Sequence, residues 1–358
     1  MENNQSSSPC FVLQSQKLEK NLAILTELES KTSARFLYTL KCFHEKEGLD
    51  LIAQKLSGFS IGNENELSKV SSYENKHLHS YAPAYYPYEV SALAKISQTM
   101  SFNSLSQWEK YAPLCASHSS LGLRINPKIQ LNQPSHCDTS LSHSRFGLSY
   151  SKFLLLFQSQ KSLFKKLEGL HFHIFCYQDF SALNILLNHI KDQYKEVLPS
   201  LKWLNLGGGQ NFTDPRYDKE AFIKAINDFH QEYPHIQLYF EPASSVLSHT
   251  GYFKSTILDI IPSTPNIVIL DTSIETHLLD IAITKQEIFP KEASQSKSPY
   301  QYQISGMSCI AGDIIGTYYF PKALQIGDSL HFEDMLGYTL VKQTSFNGIH
   351  KVGFRLEK

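Results

Sequence analysis

Short apolar runs of strand length recur along the first two thirds of the chain, separated by segments in which apolar residues have helical spacing. A strand is predicted at Cys10–Leu13 and a helix from Gln16 to Leu28. Eight further strands are predicted at Arg35–Tyr38, Gly58–Ile61, His79–Ala82, Thr99–Phe102, Leu121–Ile125, Gly169–Ile174, Trp203–Leu206 and Gln237–Phe240. Helices are predicted between most of them, at Glu45–Leu56, Glu64–Val70, Tyr88–Ile96, Leu105–Tyr111, Ser151–Leu163, Phe180–Gln193 and Asp218–Tyr233. This alternation predicts a (β/α)8 barrel of the TIM type over residues 15–245.

The pattern changes past about Ser245, where helical spacing becomes scarce. Strand-like segments follow at Ile267–Leu270, Tyr300–Ser305, Thr317–Phe320, Ser329–Phe332, Tyr338–Gln343 and Val352–Leu356. They predict a mostly antiparallel β domain made of residues 246–358, which residues 1–14 join through the N-terminal strand. Two polar stretches, Asn132–His143 and Lys291–Ser298, are predicted to be loops.

Composition places few restrictions on function. The 358 residues are enough for two domains, and 33 Lys and Arg against 34 Asp and Glu give no overall field for nucleic acid or a membrane surface. No apolar run approaches the roughly 18 residues of a membrane helix, and the first residues have no signal-peptide pattern. The six cysteines show no pairing rhythm, so we expect reduced thiols in a cytoplasmic protein.

The unusual residues all follow predicted barrel strands. Lys41 follows the first strand, His171 and His173 belong to the sixth, Gly207–Gly209 follow the seventh, and Glu241 follows the eighth. In such barrels the carboxyl ends of the strands build the active site, and phosphate is favoured near strands seven and eight. The sequence therefore predicts that these residues share one site, although each alone is typical of a surface lysine, a core histidine, a tight turn or a rim carboxylate.

The triple glycine and its neighbours suggest a particular cofactor. Backbone N–H groups of Gly207–Gly209 are able to bind phosphate, but Phe212 stands where a dinucleotide motif needs its last glycine. A permanent carboxylate at Glu241 suits a protonated pyridine nitrogen, which makes a pyridine ring a strong electron sink. Together with Lys41, these features predict pyridoxal 5'-phosphate.

A zinc site was the alternative for the pattern His171, His173 and Cys176. Alternate residues of a strand share one face, so both imidazoles are able to point into the barrel. No fourth ligand is apparent nearby and no Cys-x-x-Cys supports the site, so we predict no metal. A histidine stacked on a flat cofactor is the preferred interpretation, and a hydrogen-bonded core histidine is the other.

The order of these motifs resembles the fold-type III, alanine-racemase-like pyridoxal-phosphate decarboxylases, the group of ornithine and diaminopimelate decarboxylases. The resemblance covers nearly the whole chain. It is carried by Tyr38-Thr39-Leu40-Lys41, Asn103-Ser104, Leu123-Arg124-Ile125-Asn126-Pro127, Ser144-Arg145-Phe146-Gly147, His171-Phe172-His173, Asn205-Leu206-Gly207-Gly208-Gly209, Glu241-Pro242, Leu270-Asp271-Thr272-Ser273 with His277 and Asp280, Ser308-Cys309-Ile310-Ala311-Gly312-Asp313, and Tyr338-Thr339 with Phe346-Asn347-Gly348.

The resemblance implies roles for several of the matching residues. It implies that Lys41 holds the cofactor covalently, that His173 stacks on its ring, and that Glu241 pairs with the pyridine nitrogen and borders the substrate. Gly208, Gly209 and Tyr338 would bind the phosphate, and Asp280 would bind the substrate. Cys309 would reach the partner subunit's site and return a proton after carbon dioxide leaves, in a homodimer with shared active sites.

Two departures from the family pattern bear on the substrate. Ala243-Ser244-Ser245 follows Glu241-Pro242 where relatives place a glycine, so Ser244 offers a hydroxyl to the phosphate instead. Ile310 stands where ornithine-type enzymes have an aspartate after the loop cysteine, which favours a longer, polyamine-like substrate. The expected reaction is decarboxylation of carboxynorspermidine or carboxyspermidine to norspermidine or spermidine. The alternatives are a decarboxylase of diaminopimelate or another basic amino acid, and a catalytically silent regulatory relative.

Overall fold

A computed structural model describes residues 8–135, 137–141 and 143–358. The chain divides into two compact units, one of Lys20–Val246 and one that combines the residues up to Glu19 with Leu247–Lys358. The first strand, β1 (Cys10–Gln14), belongs to the second unit, and the long helix α1 (Ser15–Lys31) follows it directly. No helix in the described ranges is long and apolar enough to span a bilayer.

The first unit is a closed barrel of eight parallel strands, as predicted. Its strands are β2 (Arg35–Thr39), β3 (Gly58–Ile61), β4 (His77–Tyr81), β5 (Thr99–Phe102), β6 (Ser120–Asn126), β8 (Leu167–His171), β9 (Trp203–Asn205) and β10 (Gln237–Phe240), with the short β7 (Leu148–Ser149) beside β6. Pairing of β10 with β2 and of β5 with β6 completes the ring. The (β/α)8 prediction is confirmed.

Helices follow most of the barrel strands. They are α2 (Lys46–Lys55), α3 (Glu64–Val70), α4 (Val90–Ile96), α5 (Leu105–Cys115), α6 (Tyr150–Ser159), α7 (Phe180–Gln193), α8 (Lys219–Glu232) and the short α9 (Ser244–Leu247). Several begin where a polar side chain accepts a hydrogen bond from a free backbone N–H, as Asn63, Ser104, Asp179 and Asp218 do. The single predicted helix Ser151–Leu163 is two elements, because Gln160 leaves helical geometry before a 3-10 turn at Lys161–Phe164.

Successive side chains of each barrel strand point alternately outward and inward, so one apolar layer lies outside the barrel and another lies inside it. On β2, Phe36 points outward and contacts Phe212 and Phe222, whereas Leu37 packs with Trp203 and Tyr239. The Trp203 indole fits because β8 offers Gly169, where a Cβ would come within 2.0 Å of the ring. The barrel interior is therefore closed by packed side chains at this level.

The second unit is a curled, mostly antiparallel sheet. Its strands are β1, β11 (Gly251–Ile261), β12 (Asn266–Leu270), β13 (Tyr300–Ser305), β14 (Ile314–Phe320), β15 (Ser329–Glu333) and β16 (Phe354–Glu357), in the order β14-β13-β12-β11-β1-β16 with β15 on β11. As predicted, the N-terminal strand joins it, pairing antiparallel with β11 and parallel with β16. Two short helices, α10 (Leu279–Thr284) and α11 (Tyr338–Val341), complete the unit.

Three elements of this sheet unit differ from the prediction, among them the short helix α10, where no helix was predicted. The segment predicted as a strand at Tyr338–Gln343 contains the helix α11 instead. A four-residue apolar run is equally compatible with a strand and with a buried helical turn, so tertiary contacts determine which of the two forms. The longest strand, β11, was not predicted. Its buried face includes Gly251 and Ser255, so the hydrophobic alternation is weak there.

The cysteine expectation is wrong for one pair. Cys137 and Cys176 form a disulfide with their Cα atoms 6.2 Å apart, while Cys10, Cys115 and Cys309 are free thiols and Cys42 is not part of a disulfide. The bonded residues are separated by 39 positions and come from the loop after β6 and the segment after β8. Because β6 and β8 are neighbouring strands, their following segments meet, which spacing in the sequence does not reveal.

Candidate active site

Lys41 lies where the first barrel strand ends. It is the middle residue of a 3-10 turn, Leu40–Cys42, in which both neighbours are buried and Lys41 keeps an accessible side chain. The lysine forms no hydrogen bond or ion pair with another residue in the described ranges. Surrounding protein atoms displace bulk water and lower the pKa of Lys41, an effect that the nearby Arg124 reinforces and Glu241 opposes. A lysine with a lowered pKa holds more of the neutral, nucleophilic amine near neutral pH.

Glu241 is a buried carboxylate at the end of β10, with only 3% of its surface exposed. Its Oε1 accepts hydrogen bonds from the Ser60 hydroxyl at 3.0 Å and the Asn205 amide at 2.8 Å. Its Oε2 faces two imidazoles, with His173 Nδ1 at 3.6 Å and His171 Nε2 at 3.9 Å. The carboxylate is therefore anchored through one oxygen.

Three imidazoles surround this carboxylate. Burial is the largest influence on each, and it lowers the pKa of His79 and of His173 to about 4 and that of His171 well below its ordinary value. Burial alone would raise the pKa of Glu241, but the adjacent imidazoles outweigh it and hold that pKa well below its usual range. Neutral imidazoles around an ionised carboxylate are the arrangement that these directions support.

The hydrogen bond to His173 fixes which of its ring nitrogens carries the proton. The Gly208 N–H donates to His173 Nδ1 at 3.3 Å, so Nδ1 is the acceptor and Nε2 carries the hydrogen. His173 Nδ1 therefore has no proton to donate to Glu241 Oε2 when the ring is neutral.

The triple glycine is required by close backbone packing. Gly207 and Gly209 have φ values of +71° and +94°, which favour glycine, and a Cβ on Gly208 would lie 2.2 Å from the Glu241 carbonyl oxygen. The Asn205 side chain accepts the Gly207 N–H at 2.9 Å and so links this turn to the Glu241 carboxylate. The turn thus lies beside His173 and Glu241, as the strand order predicted.

The segment after Glu241 differs in sequence from the family pattern, and the structure gives one of its serines a role. The buried Ser245 hydroxyl donates to the Gln210 carbonyl and accepts the Phe212 N–H at 3.2 Å, which ties the start of α9 to the residues after the triple glycine. Ser244 is the first residue of α9. A phosphate contact from Ser244 stays a prediction.

Several further polar residues surround the site, and the sequence alone predicts no role for them. Arg124 is buried at the level of His173, donates to its carbonyl oxygen at 3.0 Å and packs against the Tyr81 and Phe146 rings. Ser60, His79 and Arg124 come from the first five barrel strands. Their sequence signal is a polar residue at an inward position near a strand end.

The zinc alternative loses its sulfur ligand, because Cys176 Sγ is bonded to Cys137. A different group has the residue types of a cation site: ligand atoms of His79, His171 and Glu241 lie within 4.8 Å of one another. Two of these residues already have partners. His79 Nδ1 lies 2.8 Å from the Thr99 hydroxyl, and Glu241 Oε1 accepts the two hydrogen bonds described above.

The remaining predicted residues belong to the sheet unit. Cys309 is an exposed free thiol in the turn after β13. The buried Asp313 carboxylate shapes this turn by accepting the backbone N–H groups of Ser308 at 3.0 Å and Ile274 at 2.9 Å. Tyr338 begins α11, directly after Gly337 with φ of +76°.

Asp280 is engaged within the sheet unit. It lies on α10, and its carboxylate forms an ion pair of 2.5 Å with Lys342, which follows α11 and lies 5.2 Å from the centre of the Tyr338 ring. The side chains of Asp280 and Lys342 are 15% and 39% exposed. Any cationic ligand of Asp280 would therefore compete with Lys342.

The barrel, the sheet domain and the site that contains Lys41 and Glu241 are typical of one class of proteins. These are the pyridoxal-phosphate enzymes that combine a (β/α)8 barrel with a β domain. Residues 16–248 match the pyridoxal binding domain of the pyridoxal-dependent decarboxylases, and residues 244–335 match the C-terminal sheet domain of that family. The chain belongs to the pyridoxal-dependent decarboxylases. Pyridoxal 5'-phosphate supplies an electron sink when bound, and Lys41, His173, Glu241 and the glycine turn fit it.

Two sequence relatives and one crystal structure are similar to the chain over most of its length. The chain is 35% identical to a carboxyaminopropylagmatine decarboxylase of a Synechocystis species over 96% of this chain and 88% of the relative. It is 32% identical to a carboxynorspermidine/carboxyspermidine decarboxylase of Campylobacter jejuni over 96% and 91%. The crystal structure of carboxynorspermidine decarboxylase from Campylobacter jejuni, complexed with norspermidine, has a TM-score of 0.88 and 31% identity over 98% of this chain and 94% of that one.

The lowered pKa of Lys41 predicts unusual reactivity in cofactor-free protein. Labelling of Lys41 by an amine-reactive reagent, followed by peptide mapping across pH, should reach half its maximal rate below the ordinary lysine value of about 10.4. Because the Glu241 charge raises the pKa of Lys41, Glu241→Gln should move that midpoint to still lower pH. The other lysine peptides of the same digest are the control. A midpoint that stays put or rises in Glu241→Gln would contradict this electrostatic coupling.

Proposed function

We propose that the enzyme decarboxylates the amino-acid end of a carboxylated polyamine, converting carboxynorspermidine or carboxyspermidine to norspermidine or spermidine in polyamine biosynthesis. The observation that carries the proposal is the meeting of Lys41, His173 and Glu241 at one barrel mouth, in a chain that matches carboxynorspermidine decarboxylases over nearly its whole length. A cytoplasmic location is part of the proposal. A disulfide such as Cys137–Cys176 is rare in that compartment, so the proposal requires this pair to be reduced there.

The residues of the barrel mouth have complementary roles in this proposal. Lys41 would bond the cofactor, and the neutral His173 ring would stack on it. Gly209, with Tyr338 of the sheet unit, would bind the phosphate, and Gly208 would let it approach the turn while its own N–H donates to His173 Nδ1. The Glu241 carboxylate would bind the protonated pyridine nitrogen and border the substrate, and the cofactor would supply an electron sink there.

Cys309 completes the proposed chemistry from a second subunit. The reaction leaves an electron pair on the substrate carbon, and a proton must replace carbon dioxide there. A thiol suits this step because cysteine is among the side chains that act as general acids. Exposure of Cys309 on a turn held by Asp313 supports a role at the surface of the sheet unit, and so a homodimer with shared sites.

A second candidate substrate follows from the Synechocystis relative, whose name gives carboxyaminopropylagmatine. Its tail ends in a guanidinium group, which binds carboxylates through two parallel hydrogen bonds, whereas a polyamine tail ends in an ammonium group. Carboxyspermidine and carboxynorspermidine differ by one methylene, a difference worth about 1–3 kcal/mol in a pocket. Discrimination by the charged end group is expected to be the larger effect.

Turnover on four substrates tests the proposed function. Carbon dioxide release should be greatest with carboxynorspermidine or carboxyspermidine, lower with carboxyaminopropylagmatine, and negligible with diaminopimelate. Lys41→Ala should abolish turnover and the absorbance band of bound cofactor. Borohydride reduction and peptide mapping should place the cofactor on Lys41. Preference for diaminopimelate, or a cofactor on another lysine, would contradict the proposal.

The shared site predicts complementation between inactive variants. Cys309→Ala should bind cofactor normally but form product more slowly, because the proton donor is lost. A mixture of Lys41→Ala and Cys309→Ala subunits should recover part of the activity, since mixed dimers hold one site with both native residues. Cys115→Ala, which removes a buried thiol, is the matched control. Absence of recovery in dimers shown to exchange subunits would place Cys309 outside the partner's site.

Asp280 is proposed to bind a cationic group of the substrate, and its pairing with Lys342 makes the test specific. Loss of a charge-assisted hydrogen bond of about 1.5–3 kcal/mol should raise KM roughly 10- to 100-fold in Asp280→Asn, with an unchanged cofactor spectrum. Lys342→Met, which removes the competing cation, should not raise KM. An unchanged KM together with a lower Tm in Asp280→Asn would show that Asp280 only pairs with Lys342.

A further inference from the structure

His171 is the one imidazole near Glu241 whose ring makes no hydrogen bond to any other residue that the structure describes. It is fully buried at the end of β8, and neither Nδ1 nor Nε2 has a hydrogen-bond partner there. The rings of Tyr81 and His79 meet it edge-on at 4.9 and 5.2 Å between centroids. A buried N–H without an acceptor is costly, so the position of this proton needs an explanation.

The other two imidazoles do not supply a proton to Glu241 Oε2. His173 Nδ1 accepts the Gly208 N–H and is therefore unprotonated. His79 lies on the side of Oε1, 3.9 Å from it, and has the Thr99 and Ser101 hydroxyls at 2.8 and 3.3 Å from its two nitrogens. Among the described residues, His171 Nε2 is the remaining group able to donate to Oε2.

We propose that His171 is a positioning residue, whose Nε2–H donates to Glu241 Oε2 and fixes the carboxylate as an ionised, oriented group. The present separation of 3.9 Å exceeds a hydrogen bond by roughly 1 Å, so the proposal requires a side-chain adjustment of about that size. Ser60 and Asn205 hold Oε1, and His171 holds Oε2. The inference rests on the proposed function only in that Glu241 is there the partner of the cofactor's nitrogen.

A metal ion is the competing explanation for His79, His171 and Glu241. Ligands at about 2.0–2.2 Å from a tetrahedral zinc ion lie nearer to one another than the spread of up to 4.8 Å here. Oε1 of Glu241 and both nitrogens of His79 already have polar neighbours. The hydrogen-bond role requires only His171 to move, so the observations favour it.

The position of the proton is measurable without cofactor or substrate. Nitrogen–proton correlation spectra of histidine-labelled, cofactor-free protein should show His171 with its hydrogen on Nε2, with the signal assigned by its loss in His171→Gln. A hydrogen on Nδ1 would overturn the proposal. Stoichiometric Zn²⁺ binding to the cofactor-free protein, lost in both His79→Gln and His171→Gln, would overturn it in favour of a metal site.

Cofactor affinity provides the second test. His171→Phe should weaken pyridoxal 5'-phosphate binding to the cofactor-free protein about 10- to 100-fold, because the oriented carboxylate is lost. His171→Gln should keep most of the wild-type cofactor affinity, since the glutamine amide nitrogen occupies the position of Nε2. His171→Asn should be as weak as His171→Phe, since the asparagine amide nitrogen matches Nδ1 instead. His189→Phe is the matched control, because its ring on α7 also has an unpartnered Nε2 and lies between Tyr150 and Tyr194.

These outcomes separate the inference from the proposed function. Equal affinity in His171→Phe and the wild type would overturn the positioning role even if every polyamine substrate is decarboxylated. If His171→Phe fails to fold, two measurements still test the positioning role of His171. They are the cofactor affinity of His171→Gln against His171→Asn, and the wild-type spectrum. The opposite outcome would overturn the proposed function alone. In that case no carboxylated polyamine is decarboxylated, while His171 carries its hydrogen on Nε2 and the variants show the expected cofactor affinities.

Discussion

A carboxylate buried inside a protein must receive hydrogen bonds or opposing charge. Most polar residues of the barrel mouth stabilise the buried carboxylate of Glu241 in this way. The donors Ser60 and Asn205 come from β3 and β9, and imidazoles come from β4 and from the end of β8. No local segment contains them together. Only a closed ring of strands gathers groups that are 181 and 36 positions away from Glu241 in the chain.

The same barrel must be filled below the site and accessible above it. Trp203, Leu37 and Tyr239 fill the interior, and the indole is accommodated by glycine on the neighbouring strand. His79 meets that indole edge-on, with 5.6 Å between ring centroids, and so connects the apolar layer to the polar one. Stability is thus provided by tightly packed rings, while the accessible Lys41 amine lies on a short turn just beyond the strand end.

Much of this organisation was predictable from local pattern. Short apolar runs identified the eight barrel strands, because both faces of these strands are buried, and helical spacing identified most of the helices. The sheet unit was predicted less well: Tyr338–Val341 is too short to show a period, and β11 buries glycine and serine. The disulfide between Cys137 and Cys176 depends on which strands are neighbours, and the cysteine spacing carries no record of that.

The sequence by itself determined the fold class and the residue types of the site, since a lysine, a triple glycine and a carboxylate each follow a recognisable strand. Only the tertiary structure decided how these groups act on one another. The lowered pKa of Lys41, the proton position on His173 and the pairing of Asp280 with Lys342 all depend on distances between atoms far apart in the chain. Electrostatic and hydrogen-bond energies change over a few ångströms, whereas sequence pattern places a residue only to within its element.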